Sequence, residues 1–168
     1  MGNHEVFEMT IDHDSRDETW GEGQPAWPRA TPEKRVLIAE DDSAMRELLV
    51  LVLRERGYEV DTVCSGSELL RVLFEAGPKG TLVRHFDLIV TDVRMPGASG
   101  LDAVDQLRRR GDLTRVIAVT AFPHDATRHR ARQLEVQLLA KPFDLDALRS
   151  AVDAALDSLE GPHGALAK

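Results

Sequence analysis

From Lys34 onward, short apolar runs alternate with longer stretches in which apolar side chains recur every three or four residues. The short runs have the length of buried strands, and the recurring stretches have the period of amphipathic helices. Strands are predicted at 36–39, 59–63, 88–90, 116–119 and 137–139. Helices are predicted at 45–53, 65–75, 100–110, 125–133 and 144–160. The first helix carries its apolar stripe on Met45, Leu48, Leu49, Val52 and Leu53, and Gly57 ends it.

Five strands that alternate with five helices predict right-handed crossovers between parallel strands. The expected fold class is therefore α/β, with a doubly wound five-stranded parallel sheet covered by helices on both faces. In sheets of this kind, binding sites collect beyond the carboxyl ends of the strands. The functional residues are therefore expected there.

Chemically reactive side chains stand at four of these strand ends. They are Glu40, Asp41 and Asp42 after the first strand, Asp92 at the third, Thr120 at the fourth and Lys141 after the fifth. Carboxylates that share a pocket repel one another and favour a hard divalent cation with oxygen ligands, such as Mg²⁺. An ammonium and a hydroxyl beside them can contact phosphoryl oxygens. The set suits transfer of a phosphoryl group to an aspartate.

Each of these residues also has an ordinary structural interpretation. Asp42 or Ser43 could simply cap the first helix, and Asp92 could open the turn that follows it. Thr120 could be an ordinary strand residue, and Lys141 could be a solvated charge. Their joint occurrence at the ends of successive strands favours the functional interpretation.

Composition and charge narrow the class of protein. The chain has 168 residues, enough for one domain and an extension. Its net charge of -8 argues against direct DNA binding. No apolar run is long enough to cross a membrane, no secretory signal is recognised, and the single cysteine forms no internal disulfide. A cytoplasmic location is therefore expected.

Residues 1–33 differ in composition from the rest of the chain. They contain eight acidic and two basic side chains, and thus six of the eight net negative charges. Gly and Pro are also frequent in this stretch, so we expect an acidic, disordered extension. An alternative stays open, in which the segment docks on a partner or on the domain. Its apolar residues Phe7, Met9, Ile11, Trp20 and Trp27 motivate that alternative.

Residues 34–158 resemble a response-regulator receiver domain, the phosphoacceptor module of bacterial two-component signalling. The motifs that carry the resemblance are VLIAEDD at 36–42, DLIVTDVRMPG at 87–97, SGLD at 99–102, VTA at 119–121 and KPF at 141–143. The resemblance implies a flavodoxin-like fold. We therefore expect a receiver domain over 34–160 and a short C-terminal tail over 161–168.

The resemblance also implies roles for individual residues. Asp92 would accept a phosphoryl group from a sensor histidine kinase or a phosphotransfer protein, and Thr120 and Lys141 would contact that group. The Mg²⁺ ligands would be Asp41, Asp42, Asp92 and the backbone carbonyl of Arg94. The Lys141–Pro142 peptide bond would be cis.

The chain departs from the family pattern at Leu138 and just before the fifth strand, where Leu134-Glu135 replaces the usual Gly-Ala pair. Leu138 stands where the family usually has an aromatic switch residue, so the coupling of phosphorylation to output is in question. Arg94 and Phe122 stand at the two positions that flank the path of attacking water in this family. Because both side chains are bulky, we expect slow self-dephosphorylation.

The leading interpretation is a single-domain response regulator that is not an enzyme. Only 161–168 follow the last helix, so output would pass through protein contacts at the face of helix 4, strand 5 and helix 5, to a downstream protein that remains unknown. The alternative is a scaffold that acts without phosphorylation. A phosphatase that forms an aspartyl phosphate is disfavoured because such enzymes place an acid where this chain has Arg94. A flavin protein is disfavoured because an acidic loop would repel the flavin phosphate.

Overall fold

The structure is a computed structural model and describes residues 34–74 and 85–157. In this part of the chain, five strands alternate with five helices. The strands are β1 (Arg35–Ala39), β2 (Glu59–Val63), β3 (Leu88–Asp92), β4 (Arg115–Thr120) and β5 (Gln137–Ala140). The helices are α1 (Ser43–Arg54), α2 (Gly66–Phe74), α3 (Gly100–Arg109), α4 (Asp125–Gln133) and α5 (Leu145–Asp157).

All neighbouring strands are parallel, and they form one sheet in the order β2-β1-β3-β4-β5. The chain moves outward from β1 to β2 and then returns to the other side of β1 to form β3. This reversal is a topological switch point, where α/β sheets bind their ligands. The predicted α/β class, with five parallel strands and five helices, is confirmed.

The core has two layers because successive strand residues face opposite sides of the sheet. Leu37, Ile89 and Ala118 belong to the layer that includes buried residues of α2, α3 and α4. Their neighbours Ile38 and Val90 belong to the layer that includes buried residues of α1 and α5. Both faces of the central strands are therefore buried, as expected for a parallel sheet.

Two helices differ from a simple amphipathic pattern. Leu48 lies in the predicted stripe of α1 but is 38% exposed, and Leu51 on the same helix is 57% exposed. In α4, Thr127 and Ala131 are the buried side chains. A helix that buries so little apolar surface gains little stability from packing.

Several predicted segments lie outside the described residues. They are the extension at 1–33, the end of the second helix at 75, the end of the fifth helix at 158–160 and the tail at 161–168. Within the described residues, no helix has the length and apolarity needed to cross a membrane.

Candidate functional site

Asp92 is the last residue of β3, at the carboxyl end of the sheet next to the switch point. Its side chain is only 12% exposed. Lys141 Nζ donates a hydrogen bond to Asp92 Oδ2 at 2.7 Å, and the Arg94 backbone N–H donates to Oδ1 at 2.8 Å. A donor on each oxygen fixes the orientation of the carboxylate.

The backbone beneath Asp92 is closely packed. Gly100, the first residue of α3, approaches so near that a side chain there would collide with the Asp92 carbonyl and the Thr91 side chain. The Gly100 N–H donates to the Val93 carbonyl at 3.2 Å, and the Thr91 hydroxyl donates to the Asp92 carbonyl at 3.0 Å. Glycine at this position lets α3 start directly against the end of β3.

Glu40 is a buried partner of the site that the sequence did not single out as a ligand. It follows β1 and is 1% exposed, and Lys141 Nζ donates to Oε2 at 2.9 Å and to Oε1 at 3.1 Å. Burial raises the pKa of Glu40 above its usual 4.5. The hydrogen bond from Lys141 opposes that rise, and the negative charge of Asp92 adds to it.

Lys141 joins the two buried carboxylates. Burial by itself lowers the pKa of the Lys141 ammonium, but hydrogen bonds from it to Asp92 and Glu40, with their negative charges, outweigh burial and raise this pKa above 10.5. Lys141 therefore stays protonated at neutral pH. Its backbone N–H donates to the Thr120 carbonyl at 2.7 Å, and the Lys141–Pro142 bond is cis as expected.

Three carboxylates gather at this edge of the sheet. Glu40, Asp41 and Asp92 each offer an oxygen, and these oxygens lie within 4.8 Å of one another. Two or three carboxylates at this spacing suit a hard cation such as Mg²⁺, which binds oxygen ligands. The donor set therefore fits the cation expected from the sequence.

Asp42, which the sequence predicted as a Mg²⁺ ligand, lies outside this group of three carboxylates. Its Oδ1 accepts a hydrogen bond from the Met45 N–H at 2.7 Å, and Asp42 is the N-cap residue of α1. The carboxylate thus satisfies a backbone donor at the start of the helix. Glu40 takes its place beside Asp41. The Arg46 guanidinium stabilises this loop by donating to the Glu40 carbonyl at 2.7 Å.

Thr120 ends β4 on the strand next to Asp92. It is 1% exposed and lies one residue beyond Val119, the register partner of Asp92. The Thr120 hydroxyl oxygen accepts a hydrogen bond from the Phe122 N–H at 3.1 Å. The four strand ends that the sequence selected are therefore neighbours in the sheet, in the order β1-β3-β4-β5.

A second contact borders the site. The Arg94 guanidinium carbon lies 4.2 Å from the centre of the Phe122 ring, in a cation–π contact. The Phe122 side chain is 54% exposed.

Leu138, at the position usually aromatic in the family, is partly buried and packs on the core layer beneath α2, α3 and α4.

Comparison with known proteins agrees with this geometry. The family described as the response regulator receiver domain matches residues 36–153. The chain belongs to this family. The resemblance inferred from the motifs is thus confirmed over those residues. Receiver domains are the phosphoacceptor switches of two-component systems, and phosphorylation and Mg²⁺ binding are typical of them.

Curated relatives are longer proteins. The receiver domain is 32% identical over 120 residues to the alkaline phosphatase synthesis transcriptional regulatory protein SphR of Synechococcus elongatus, covering 69% of this chain and 46% of SphR. It is 38% identical over 129 residues to the DNA-binding transcriptional regulator NtrC of Azospirillum brasilense, covering 76% of this chain and 25% of NtrC. The chain therefore spans less than half the length of these two relatives.

Solved structures match over nearly their whole length. Response regulator TrrA of Thermotoga maritima, in complex with Mg²⁺-BeF, is 32% identical and has a TM-score of 0.63, with coverage of 73% of this chain and 99% of TrrA. Chemotaxis protein CheY4 of Vibrio cholerae is 25% identical with the same TM-score, and 74% of this chain and 99% of CheY4 are covered.

Proposed function

We propose that this protein is a response regulator that accepts a phosphoryl group on Asp92 from a histidine kinase or a phosphotransfer protein. The observation that carries the proposal is the carboxylate of Asp92, held between Lys141 Nζ at 2.7 Å and the Arg94 N–H at 2.8 Å, beside two further carboxylates. A nucleophile needs this fixed orientation, and the bound phosphoryl needs a cation opposite it.

In the transfer, an oxygen of the Asp92 carboxylate forms a bond to phosphorus while the phosphorus–nitrogen bond of the donor's phosphohistidine breaks. The electron pair of that bond returns to the imidazole nitrogen. The Lys141 ammonium offsets charge on the phosphoryl oxygens. The Thr120 hydroxyl already accepts a hydrogen bond from Phe122, and its own proton can be donated to a phosphoryl oxygen.

Glu40, Asp41 and Asp92 would hold the Mg²⁺ ion through their carboxylates, together with the backbone carbonyl of Arg94. When bound, the ion neutralises negative charge on the phosphoryl group and on the acidic residues. The Mg²⁺-BeF complex of TrrA, a relative with the same fold, supports the proposal that this chain binds Mg²⁺.

Output would pass through protein contacts at the face of α4, β5 and α5 rather than through direct DNA or membrane binding, in the cytoplasm. The phosphorylated state would decay slowly because the bulky side chains of Arg94 and Phe122 flank the acceptor and hinder the approach of water. The second candidate is a scaffold that binds its partner with or without phosphate. Leu138 favours it, because a leucine lacks the ring that couples phosphorylation to output in the family.

The proposal is tested by binding of beryllofluoride in the presence of Mg²⁺. Binding is monitored through the ¹⁹F resonance. The expected result is a bound resonance in the wild-type protein that is absent in Asp92→Asn. Asp146→Asn is a matched control because its side chain is 88% exposed on α5, and it should bind as the wild type does. A folded wild-type protein without a bound resonance would support the scaffold instead.

A further inference from the structure

The proposed role of Arg94, in which its backbone carbonyl binds Mg²⁺, does not explain the position of its side chain. Arg94 follows the acceptor by two residues, and its N–H is hydrogen-bonded to Asp92 Oδ1 at 2.8 Å. The side chain therefore begins at the rim of the acceptor. In residues 34–74 and 85–157 the Arg94 guanidinium has no carboxylate or carbonyl partner, and its contact is the exposed Phe122 ring.

We infer that the Arg94 guanidinium is a further ligand of the phosphoryl group and that the Phe122 ring holds it while Asp92 is unphosphorylated. The inference rests on the proposed phosphorylation of Asp92. A cation–π contact at an exposed site is weak. A charge-assisted hydrogen bond between a guanidinium and a phosphoryl oxygen is stronger and has a defined geometry. Phosphorylation therefore draws Arg94 from the ring to the phosphoryl group.

Phe122 links this movement to α4. Its N–H donates to the Thr120 hydroxyl at 3.1 Å, and its carbonyl accepts from the His124 N–H at 2.9 Å. His124 is the N-cap residue of α4, where its Nδ1 accepts from the Thr127 N–H at 3.2 Å. Release of the Phe122 ring thus loosens the segment that begins α4.

The response of α4 supplies a route for output that does not need an aromatic residue at position 138. The two buried side chains of α4 are Thr127 and Ala131, so little apolar packing opposes a shift of its first turn. Leu138 then serves as packing for the core layer, and the aromatic group that responds to phosphorylation is Phe122, on the loop between β4 and α4.

The inference is tested by measuring hydrogen exchange of the amides at 121–130. The rates are measured with and without Mg²⁺ and beryllofluoride, in the wild type and in Arg94→Gln. Binding of beryllofluoride is measured separately by its ¹⁹F resonance. A matched control is available in Arg110→Gln, because Arg110, the C-cap residue of α3, stacks on Phe74 of α2 at 4.0 Å and lies outside the loop that begins α4. The ¹⁵N resonance of Arg94 Nε reports directly on its hydrogen bond.

In the wild type, beryllofluoride should accelerate exchange at 121–127 roughly two- to fivefold, the factor expected for loss of an exposed cation–π contact. Arg94→Gln should exchange at that faster rate already and respond no further, and Arg110→Gln should respond as the wild type does. The Arg94 Nε resonance should shift on binding. If beryllofluoride binds but the Arg94 Nε resonance does not shift, or Arg94→Gln responds as the wild type does, the inference is overturned. If beryllofluoride does not bind the wild type, the proposed function itself fails.

Discussion

The ammonium group of Lys141 lies 2.9 Å from a carboxylate oxygen of Glu40, although 101 residues separate the two in the chain. Glu40 is 1% exposed, and the same ammonium reaches Asp92 at 2.7 Å. Lys141 thus bridges a buried carboxylate that it neutralises and the carboxylate that we propose as the acceptor. Removing one partner of such a pair leaves a buried charge uncompensated.

The position of Glu40 predicts which acidic residues matter for Mg²⁺. Glu40→Gln keeps the shape of the side chain but removes one negative charge from the group, so Mg²⁺ affinity should fall by about tenfold or more. The affinity is measured by titration with Mg²⁺, monitored by nuclear magnetic resonance.

Asp42→Asn is the matched control for that titration, because asparagine also caps helices. Its Mg²⁺ affinity should stay close to that of the wild type. A large loss of affinity in Asp42→Asn together with an unchanged Glu40→Gln would reverse the assignment of the ligands.

The raised pKa of Lys141 predicts a stability change in alkali. The folded protein holds this proton more tightly than the unfolded chain, whose usual pKa is 10.5. The stabilisation is therefore fully present below that value and is lost as pH rises through the higher pKa of the folded state. Urea unfolding should show a steeper loss of stability above pH 10.5 in the wild type than in Lys141→Met. Parallel pH curves for the two proteins would contradict this account.

Much of the fold could be predicted because apolar periodicity reports directly on burial. The strand at 59–63 and the helix at 125–133 have the predicted bounds. The stripe of α1 was less well predicted, since Leu48 has helical spacing but lies at the edge of the buried face. The helical spacing of apolar residues does not show how wide a strip of the helix surface the sheet covers.

The sequence selected the strand ends that lie side by side at the candidate site. Of three consecutive acids it selected Asp41 and Asp42 as ligands, whereas Glu40 and Asp41 lie together with Asp92 in the structure. Because Asp42 also has the signature of an N-cap, a capping role was one of its two possible interpretations. The burial of Glu40 and its contact with Lys141 depend on how β1 and β5 approach β3, which is a property of the folded sheet.

We expect slow loss of the phosphoryl group because the bulky side chains of Arg94 and Phe122 flank the path of attacking water. Replacing both by alanine should open the path for water and accelerate decay about tenfold, a barrier change of about 1.4 kcal/mol. The decay is followed by release of inorganic phosphate after removal of the phosphodonor. Arg110→Ala with Phe74→Ala removes the other arginine–phenylalanine stack and should leave the decay rate unchanged. A decay rate in the first double variant that equals the wild type would refute the role of the pair.

Arg108 is predicted to be a structural residue. Its guanidinium donates to the carbonyls of Leu134, Asp112 and Thr114 at 2.9, 2.8 and 3.0 Å, and so joins the ends of α3 and α4 to the approach to β4. Arg108→Ala leaves these acceptors without a donor and should destabilise the protein by about 2–4 kcal/mol in urea unfolding. Arg109→Ala, with a side chain 76% exposed, should change stability by less than about 0.5 kcal/mol. Equal stability of the two variants would contradict this role.

The central claim, that Asp92 accepts a phosphoryl group, is tested most directly by intact mass. The purified protein is incubated with Mg²⁺ and acetyl phosphate, beside Asp92→Ala and the control Asp146→Ala. The account predicts a gain of one phosphoryl group in the wild type and in Asp146→Ala, and none in Asp92→Ala. A folded wild-type protein that gains no phosphoryl group, or a gain that persists in Asp92→Ala, would contradict it.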